Sequence, residues 1–172
     1  MYSKGSMTTM ASEAHGSDTR SYKLLGDVHL LLQDSAGRAL FVLRQNTGLM
    51  DGEYHVPAGH LEAGESVVQA VIREAKEELG ISIDPQDVEF AHIMHSPITG
   101  GRASFFFRIR QWKGIPANRE PRKCRELRWF PLDELPEITT RYCRVALKHI
   151  AAGDSFSVDD WEAQSEAQPD TR

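Results

Sequence analysis

Residues 59–81 read GHLEAGESVVQAVIREAKEELGI, and the second half of this stretch specifies a helix by itself. Ser66 followed by Gln69 makes a capping box, and Gly80 supplies a left-handed stop. Between them Val68, Val71, Ile72, Ala75 and Leu79 recur at the i, i+3, i+4 spacing of an amphipathic helix. The reading predicts a helix over 67–79 that packs one apolar stripe on a sheet. At about 100° per residue, Glu74, Glu77 and Glu78 fall on a second stripe roughly 120° away, so three carboxylates are expected on one exposed face. Like charges at helical spacing repel by a few tenths of a kcal/mol per pair. Arg73 and Lys76 can neutralise part of that charge. A divalent cation such as Mg²⁺, which prefers carboxylate oxygens and water in octahedral geometry, neutralises it more fully.

Strand-like segments surround this helix. Tyr22 to Gln33 and Ala39 to Arg44 flank Asp34-Ser35-Ala36-Gly37, a polar turn that predicts an antiparallel hairpin at the start of the domain. Further strands are expected at Tyr54 to Ala58, Val88 to His95, Ala103 to Trp112 and Glu126 to Phe130, and a second helix from Thr139 to about Ala152, before Gly153. Residues 1–20 lack periodicity, and residues 154–172 carry six acidic residues and few aliphatics. The expected organisation is an N-terminal tail (1–20), one domain (21–153) and an acidic C-terminal tail (154–172), with both tails dispensable for catalysis.

A chain of 172 residues, 40% hydrophobic and 26% charged, belongs to the ordinary soluble globular class and has enough sequence for one cored domain. No apolar run approaches the roughly 20 residues of a membrane span, and the N-terminus has no secretory apolar stretch, so a cytoplasmic protein without membrane contact is expected. Cys124 and Cys143 lack metal-site spacing and are expected as buried thiols. The net charge of −5 argues against binding a nucleic-acid polymer. That average hides an asymmetry: residues 51–90 hold ten acidic and two basic residues, whereas residues 102–148 hold twelve basic and five acidic. A cation-binding half precedes an anion-tolerant one.

Gly59, Glu65, Arg73, Glu74, Glu77, Glu78 and Gly80 together spell G-x5-E-x7-R-E-A-x-E-E-x-G-I, which resembles the Nudix box. Seven specified residues at about 6% frequency coincide by chance on the order of once in 10⁸ windows. The resemblance runs from about Tyr22 to Pro136, through G-x-Y-H-V-P-A-G-H-L-E-A-G-E before the helix and R-W-F-P-L-D-E-L-P after the last strand. Ala75 replaces the usual bulky aliphatic and Ala58 the first glycine of the common entry; neither change removes a charge. The resemblance implies an α/β fold, the Nudix-type α/β/α sandwich with a mixed sheet. It implies Mg²⁺, with Mn²⁺ as a substitute, held by Glu74, Glu77, Glu78 and the Gly59 carbonyl. Arg73 then orients the glutamates, and which glutamate takes the proton varies among relatives. Glu65 either assists the metal shell, pairs with Arg73 or serves the helix dipole.

Asn118 to Cys124 resembles the N-x-E-P-x-K-C loop of Nudix branches acting on nucleoside triphosphates. It makes Glu120 a candidate fifth metal ligand, unless Glu120 pairs with Arg119 or Arg122. Lys123, facing either phosphate or water, and Arg44 are the candidate substrate contacts. The expected activity is cleavage of a ribo- or deoxyribonucleoside triphosphate to monophosphate and pyrophosphate. Basic residues on the late loop suit the extra charge of a triphosphate, and only about twenty unpatterned residues precede the first strand, too few for the additional sheet of ADP-ribose-hydrolysing relatives. The alternatives are an ADP-ribose or nucleotide-sugar pyrophosphatase, of which Pro97 is a weak marker, and a non-catalytic nucleotide-binding regulatory domain. The expected partner is a small nucleotide, and a homodimer is allowed. His92 and His95, three apart on a strand, point to opposite faces and cannot pair as ligands. Phe105, Phe106 and Phe107 are expected to pack the core from both faces of their strand.

Overall fold

The computed structural model describes residues 24–159. The expected tail 1–20, the expected strand start at Tyr22 and residues 160–172 lie outside the described residues. Along the chain run β1 (Gly26–Leu32), β2 (Arg38–Arg44), β3 (Tyr54–His55), β4 (Ala58–His60), α1 (Val67–Leu79), β5 (Glu89–Ser96), β6 (Arg102–Ile109), β7 (Cys124–Pro131), α2 (Arg141–Ala152) and β8 (Phe156–Val158). One sheet has the order β4-β1-β6-β5-β8, with β1/β6 and β5/β8 parallel and the other pairs antiparallel. A second sheet, β3-β2-β7, is antiparallel.

The larger sheet is the middle layer of an α/β/α sandwich. Val28, Leu30 and Leu32 of β1, with Phe107 and Ile109 of β6, meet Val71, Ala75 and Leu79 of α1 on one face. Leu31, Met94 and Phe106 meet Cys143, Ala146, Leu147 and Ile150 of α2 on the other. Phe106 thus serves one core while Phe105 and Phe107 serve the opposite one, as strand alternation requires. His92 is buried and His95 points the other way along β5. Among the described residues no helix is long and apolar enough to cross a membrane.

The expected opening hairpin is corrected. The turn forms: the Asp34 carboxylate accepts from the Ala36 and Arg38 amides at 3.0 and 2.9 Å, and Gln33 bridges Ala39. The strands then part, β1 entering the larger sheet and β2 the smaller one. Both are apolar on two faces rather than alternating, so each needs cover on both sides and neither can serve as half of a one-sided hairpin. The expected strand at 54–58 likewise divides. Val56 and Pro57 carry the chain from β3, paired with β2 in the smaller sheet, to β4, paired with β1 in the larger one, and Pro57 has no amide hydrogen to continue a ladder.

The assignment of residues 154–159 to an acidic tail is also corrected. Gly153, at φ 81°, reverses the chain after α2, and β8 then runs parallel to β5 as the last strand of the sheet. His92 contacts the Asp154 carbonyl and the Ser157 hydroxyl at 2.8 Å each, and the buried Asp159 carboxylate accepts from Arg141 at 3.1 Å. A three-residue strand is too short to show periodicity, which is why its sequence reads as tail.

Candidate active site

The capping box expected of α1 is present: the Ser66 hydroxyl accepts from the Gln69 amide at 3.3 Å, and the Gln69 side chain accepts from the Ser66 amide at 2.8 Å. Gly80 closes the helix at φ 70°. The expectation of three carboxylates on one exposed face is corrected. Glu77 is exposed, but Glu74 is only 8% exposed, and Glu78 has its Oε2 sealed from solvent. The buried stripe of α1 is Ala70, Val71, Glu74, Ala75 and Leu79, turned toward the glutamates because the helix packs on β4 as well as β1. Gly59 makes that packing feasible. It pairs with Val28 in the β1/β4 ladder, and a Cβ built on it would overlap the Glu74 carboxyl group.

Arg73 ties the acidic groups together. Its guanidinium donates to Glu65 at 2.7 and 3.1 Å, to Glu74 at 2.6 Å, to Glu77 at 3.3 Å and to the His60 carbonyl at 2.9 Å. Hydrogen bonding to Glu65 and then Glu74 raises its pKa further above the ordinary arginine value. Of the readings open for Glu65, pairing with Arg73 is the one present: both of its oxygens bond the guanidinium, and one also accepts from the Glu62 amide at 2.8 Å. Burial raises the Glu74 pKa against the opposing pull of Arg73.

The loop from Asn118 to Cys124 reaches this helix through backbone bonds. The Ala117 and Arg119 amides donate to the Leu79 and Glu78 carbonyls, each at 2.9 Å, satisfying the open C-terminal end of α1. Asn118 closes the loop, donating to the Cys124 carbonyl at 2.7 Å and accepting from the Glu120 amide at 3.0 Å. Glu120 pairs with Lys123 at 2.9 Å rather than with Arg119 or Arg122. Burial, reinforced by the Glu74 and Glu120 charges, pushes the Glu78 pKa up to about 8. Of the two thiols, Cys143 is buried, whereas Cys124 is half-buried in the wall of the adjoining cleft; burial pushes them up to about 12 and about 11 respectively.

That cleft, of about 630 Å³, brings the sequence-derived candidates together: Gly59, Arg73, Glu74, Glu77, Glu78, Glu120, Arg44 and Lys123 all line it. Arg44 has part of its guanidinium committed to the wall, donating to the Leu49 carbonyl and the Thr47 hydroxyl at 3.0 and 3.1 Å. Sequence reasoning missed the polar floor formed by Asp27, His29, His55 and Tyr142. The available signal was Asp27 and His29, two polar residues on one side of an otherwise apolar strand. Among the described residues no three His, Cys, Asp or Glu side chains already converge as a metal cage. The donor set nevertheless fits a hard divalent cation. It offers carboxylate and carbonyl oxygens, a buried Glu78 oxygen without a partner among the described residues, and a glycine cradle that a side chain would fill.

The NUDIX domain family model matches residues 23–146. The chain is 31% identical over 110 residues to the NAD-capped RNA hydrolase NudC of Stutzerimonas stutzeri (strain A1501), covering 58% of this chain and 35% of that protein. It is 34% identical over 82 residues to phosphatase NudJ of Escherichia coli O1:K1 / APEC, covering 48% of this chain and 54% of that one. It therefore spans between about a third and about half of the length of these curated relatives. A MutT NUDIX hydrolase from Burkholderia pseudomallei superposes with a TM-score of 0.65 at 27% identity, over 74% of this chain and 98% of that one. With the family match spanning most of the chain, the shared sandwich and the glutamate cleft beside Gly59, this chain belongs to the Nudix family of hydrolases.

Proposed function

We propose that the protein is a Mg²⁺-dependent pyrophosphohydrolase that converts a ribo- or deoxyribonucleoside triphosphate to the monophosphate and pyrophosphate, with Mn²⁺ as a substitute metal. One observation carries this reading: Glu74, Glu77, Glu78 and Glu120 share a cleft with Lys123 and Arg44, so sites for cations and for phosphate adjoin. Glu74, Glu77, Glu78, Glu120 and the Gly59 carbonyl would hold the metal, which supplies neutralisation of phosphate charge and a bound water of lowered pKa. Arg73 keeps Glu74 and Glu77 aligned at the cleft edge. Lys123 meets the phosphate chain as a point charge, and a site carboxylate accepts the proton of the attacking water. The water oxygen bonds to phosphorus, the bridge between the α- and β-phosphates breaks, and the bridging oxygen leaves on the pyrophosphate.

A second reading, hydrolysis of a pyrophosphate that joins two nucleosides or a nucleoside and a sugar, is favoured by the 31% identity to a protein named as an NAD-capped RNA hydrolase. Comparing kcat/KM for nucleoside triphosphates, ADP-ribose, sugar nucleotides and NAD at matched free Mg²⁺ separates the two. The triphosphate reading expects pyrophosphate as product and a triphosphate at the head of the panel. A lead of about tenfold or more for a diphosphate-bridged substrate replaces it with the second reading.

A further inference from the structure

The floor of the cleft carries polar groups that the hydrolytic step does not use. Asp27, His29, His55 and Tyr142 all line it, and each is less than a tenth exposed. Three of them form a chain: the Tyr142 hydroxyl lies 3.4 Å from His29 Nδ1, and His29 Nε2 lies 3.0 Å from Asp27 Oδ1. Burial works against the Asp27 carboxylate, but His29, Ser104 and Arg102 together outweigh it and hold the pKa below the usual range. An ionised Asp27 carboxylate can only accept, so His29 Nε2 donates to it, and the Tyr142 hydroxyl meets the other ring nitrogen. His29 is also stacked on Phe106, with ring centres 4.4 Å apart.

His55 completes the floor in a different way. It stacks on Tyr142 at 4.8 Å, and its Nδ1 donates to the Val56 carbonyl at 2.5 Å. That bond leaves Nε2 as an acceptor, and Nε2 is buried without a partner among the described residues. Burial, with His29 and Arg44 adding to it, holds the His55 pKa well below the ordinary histidine value, so the ring is neutral and Nε2 keeps its lone pair. An unpaired buried acceptor is costly, and a site built around one discriminates strongly for a ligand that donates to it. Val42, Leu49, Met50 and Leu127 line the same cleft and offer apolar cover for a flat ring. His55 and Gly59 stand four residues apart, at most about 13 Å of extended chain, the scale of a nucleotide from base edge to phosphates.

We propose that His55 Nε2 accepts a hydrogen bond from an exocyclic amino group of a purine base, making the cleft selective for amino-bearing purine nucleotides. The proposal rests on the nucleotide reading of the cleft given above. It assigns the floor to the base and leaves the phosphates at the glutamate end. His55 acts as a specificity residue, with the Tyr142–His29–Asp27 chain holding the ring on which it stacks.

Two pairs of nucleotides differ only in the relevant group: GMP and IMP in the 2-amino group, AMP and purine riboside monophosphate in the 6-amino group. Titration calorimetry on the full chain gives their dissociation constants, and the corresponding triphosphates give KM and kcat. The expected result is a preference of about tenfold for the amino-bearing member of at least one pair, expressed in Kd and KM rather than kcat. His55→Phe, which keeps a ring against Tyr142 but removes the acceptor, should bring that pair together, and His55→Gln, which restores an acceptor, should recover part of the preference. Wild-type ratios within about twofold in both pairs, an unchanged ratio in folded His55→Phe, or no binding of any of the four at millimolar concentration overturns the proposal. If His55→Phe does not fold, the wild-type ratios decide alone. Amino preference in binding without pyrophosphate release from any triphosphate removes the proposed reaction and leaves this inference standing; pyrophosphate release without amino preference does the reverse.

Discussion

Glu78 sits with one oxygen buried and unpartnered among the described residues, and its pKa is pushed up to about 8 by burial and by the Glu74 and Glu120 charges. Such a group is poorly placed for stability and well placed for holding a cation. Glu78→Gln keeps the shape and removes the charge. The melting temperature without metal is therefore expected to hold or rise, while kcat with saturating Mg²⁺ falls at least about a hundredfold. Near-normal turnover of the purified variant would remove Glu78 from the site. At this scale the spacing of Glu74, Glu77 and Glu78 was legible in the chain, and so was the involvement of Arg73. The burial of Glu74 was not, because it depends on how closely α1 approaches Gly59, a contact between elements that helical periodicity does not contain.

Both boundaries of α1 were readable because caps are local: Ser66, Gln69 and Gly80 bond within their own turn. The late loop and the end of the chain behave differently. Asn118 to Cys124 gains its meaning from two backbone bonds to the Glu78 and Leu79 carbonyls, which bring Glu120 and Lys123 to the glutamates. β8 gains its own from the free edge of β5, from His92 and from the Asp159–Arg141 pair. Ending the chain after Asp159 should leave the melting temperature and kcat/KM close to those of the full chain. Ending it after Gly153 leaves the edge of β5 open and His92 without its two partners, and should lower the melting temperature by several degrees, the scale of losing about 1–3 kcal/mol. Equal melting curves for the two truncations would show that β8 adds nothing to the fold.

Two buried histidines and the Glu78 carboxyl pull the pH response of the whole molecule in opposite directions. Burial lowers the pKa of His92 and holds that of His55 well below the ordinary value near 6.5. At these two sites the folded chain binds fewer protons than the unfolded chain below about pH 6.5, so their contribution to stability is full above that pH and is lost as the pH falls through and below it. Glu78, pushed up to about 8, instead keeps a proton that the unfolded chain has released, and its contribution is present at low pH and lost as the pH rises toward and through about 8. In Glu78→Gln, which removes the larger opposing group, denaturation midpoints measured without metal between pH 5 and 8 should fall toward the acid side. In that background His92→Gln, which leaves His149 and Asp154 in place beside it, should flatten the slope while lowering stability at pH 7.5. A slope unchanged in that variant would assign the acid sensitivity elsewhere. By itself the sequence determined both helices, most strands, the Nudix box and the cleft-lining candidates, because caps, periodicity and motif spacing act over a few residues. The tertiary structure alone decided that β1 and β2 join different sheets, that Glu74 and one oxygen of Glu78 are buried, and that Asp27, His29, His55 and Tyr142 form a floor. Strand partners and burial follow from competition among distant segments for the same apolar faces, and no local stretch of chain encodes the outcome of that competition.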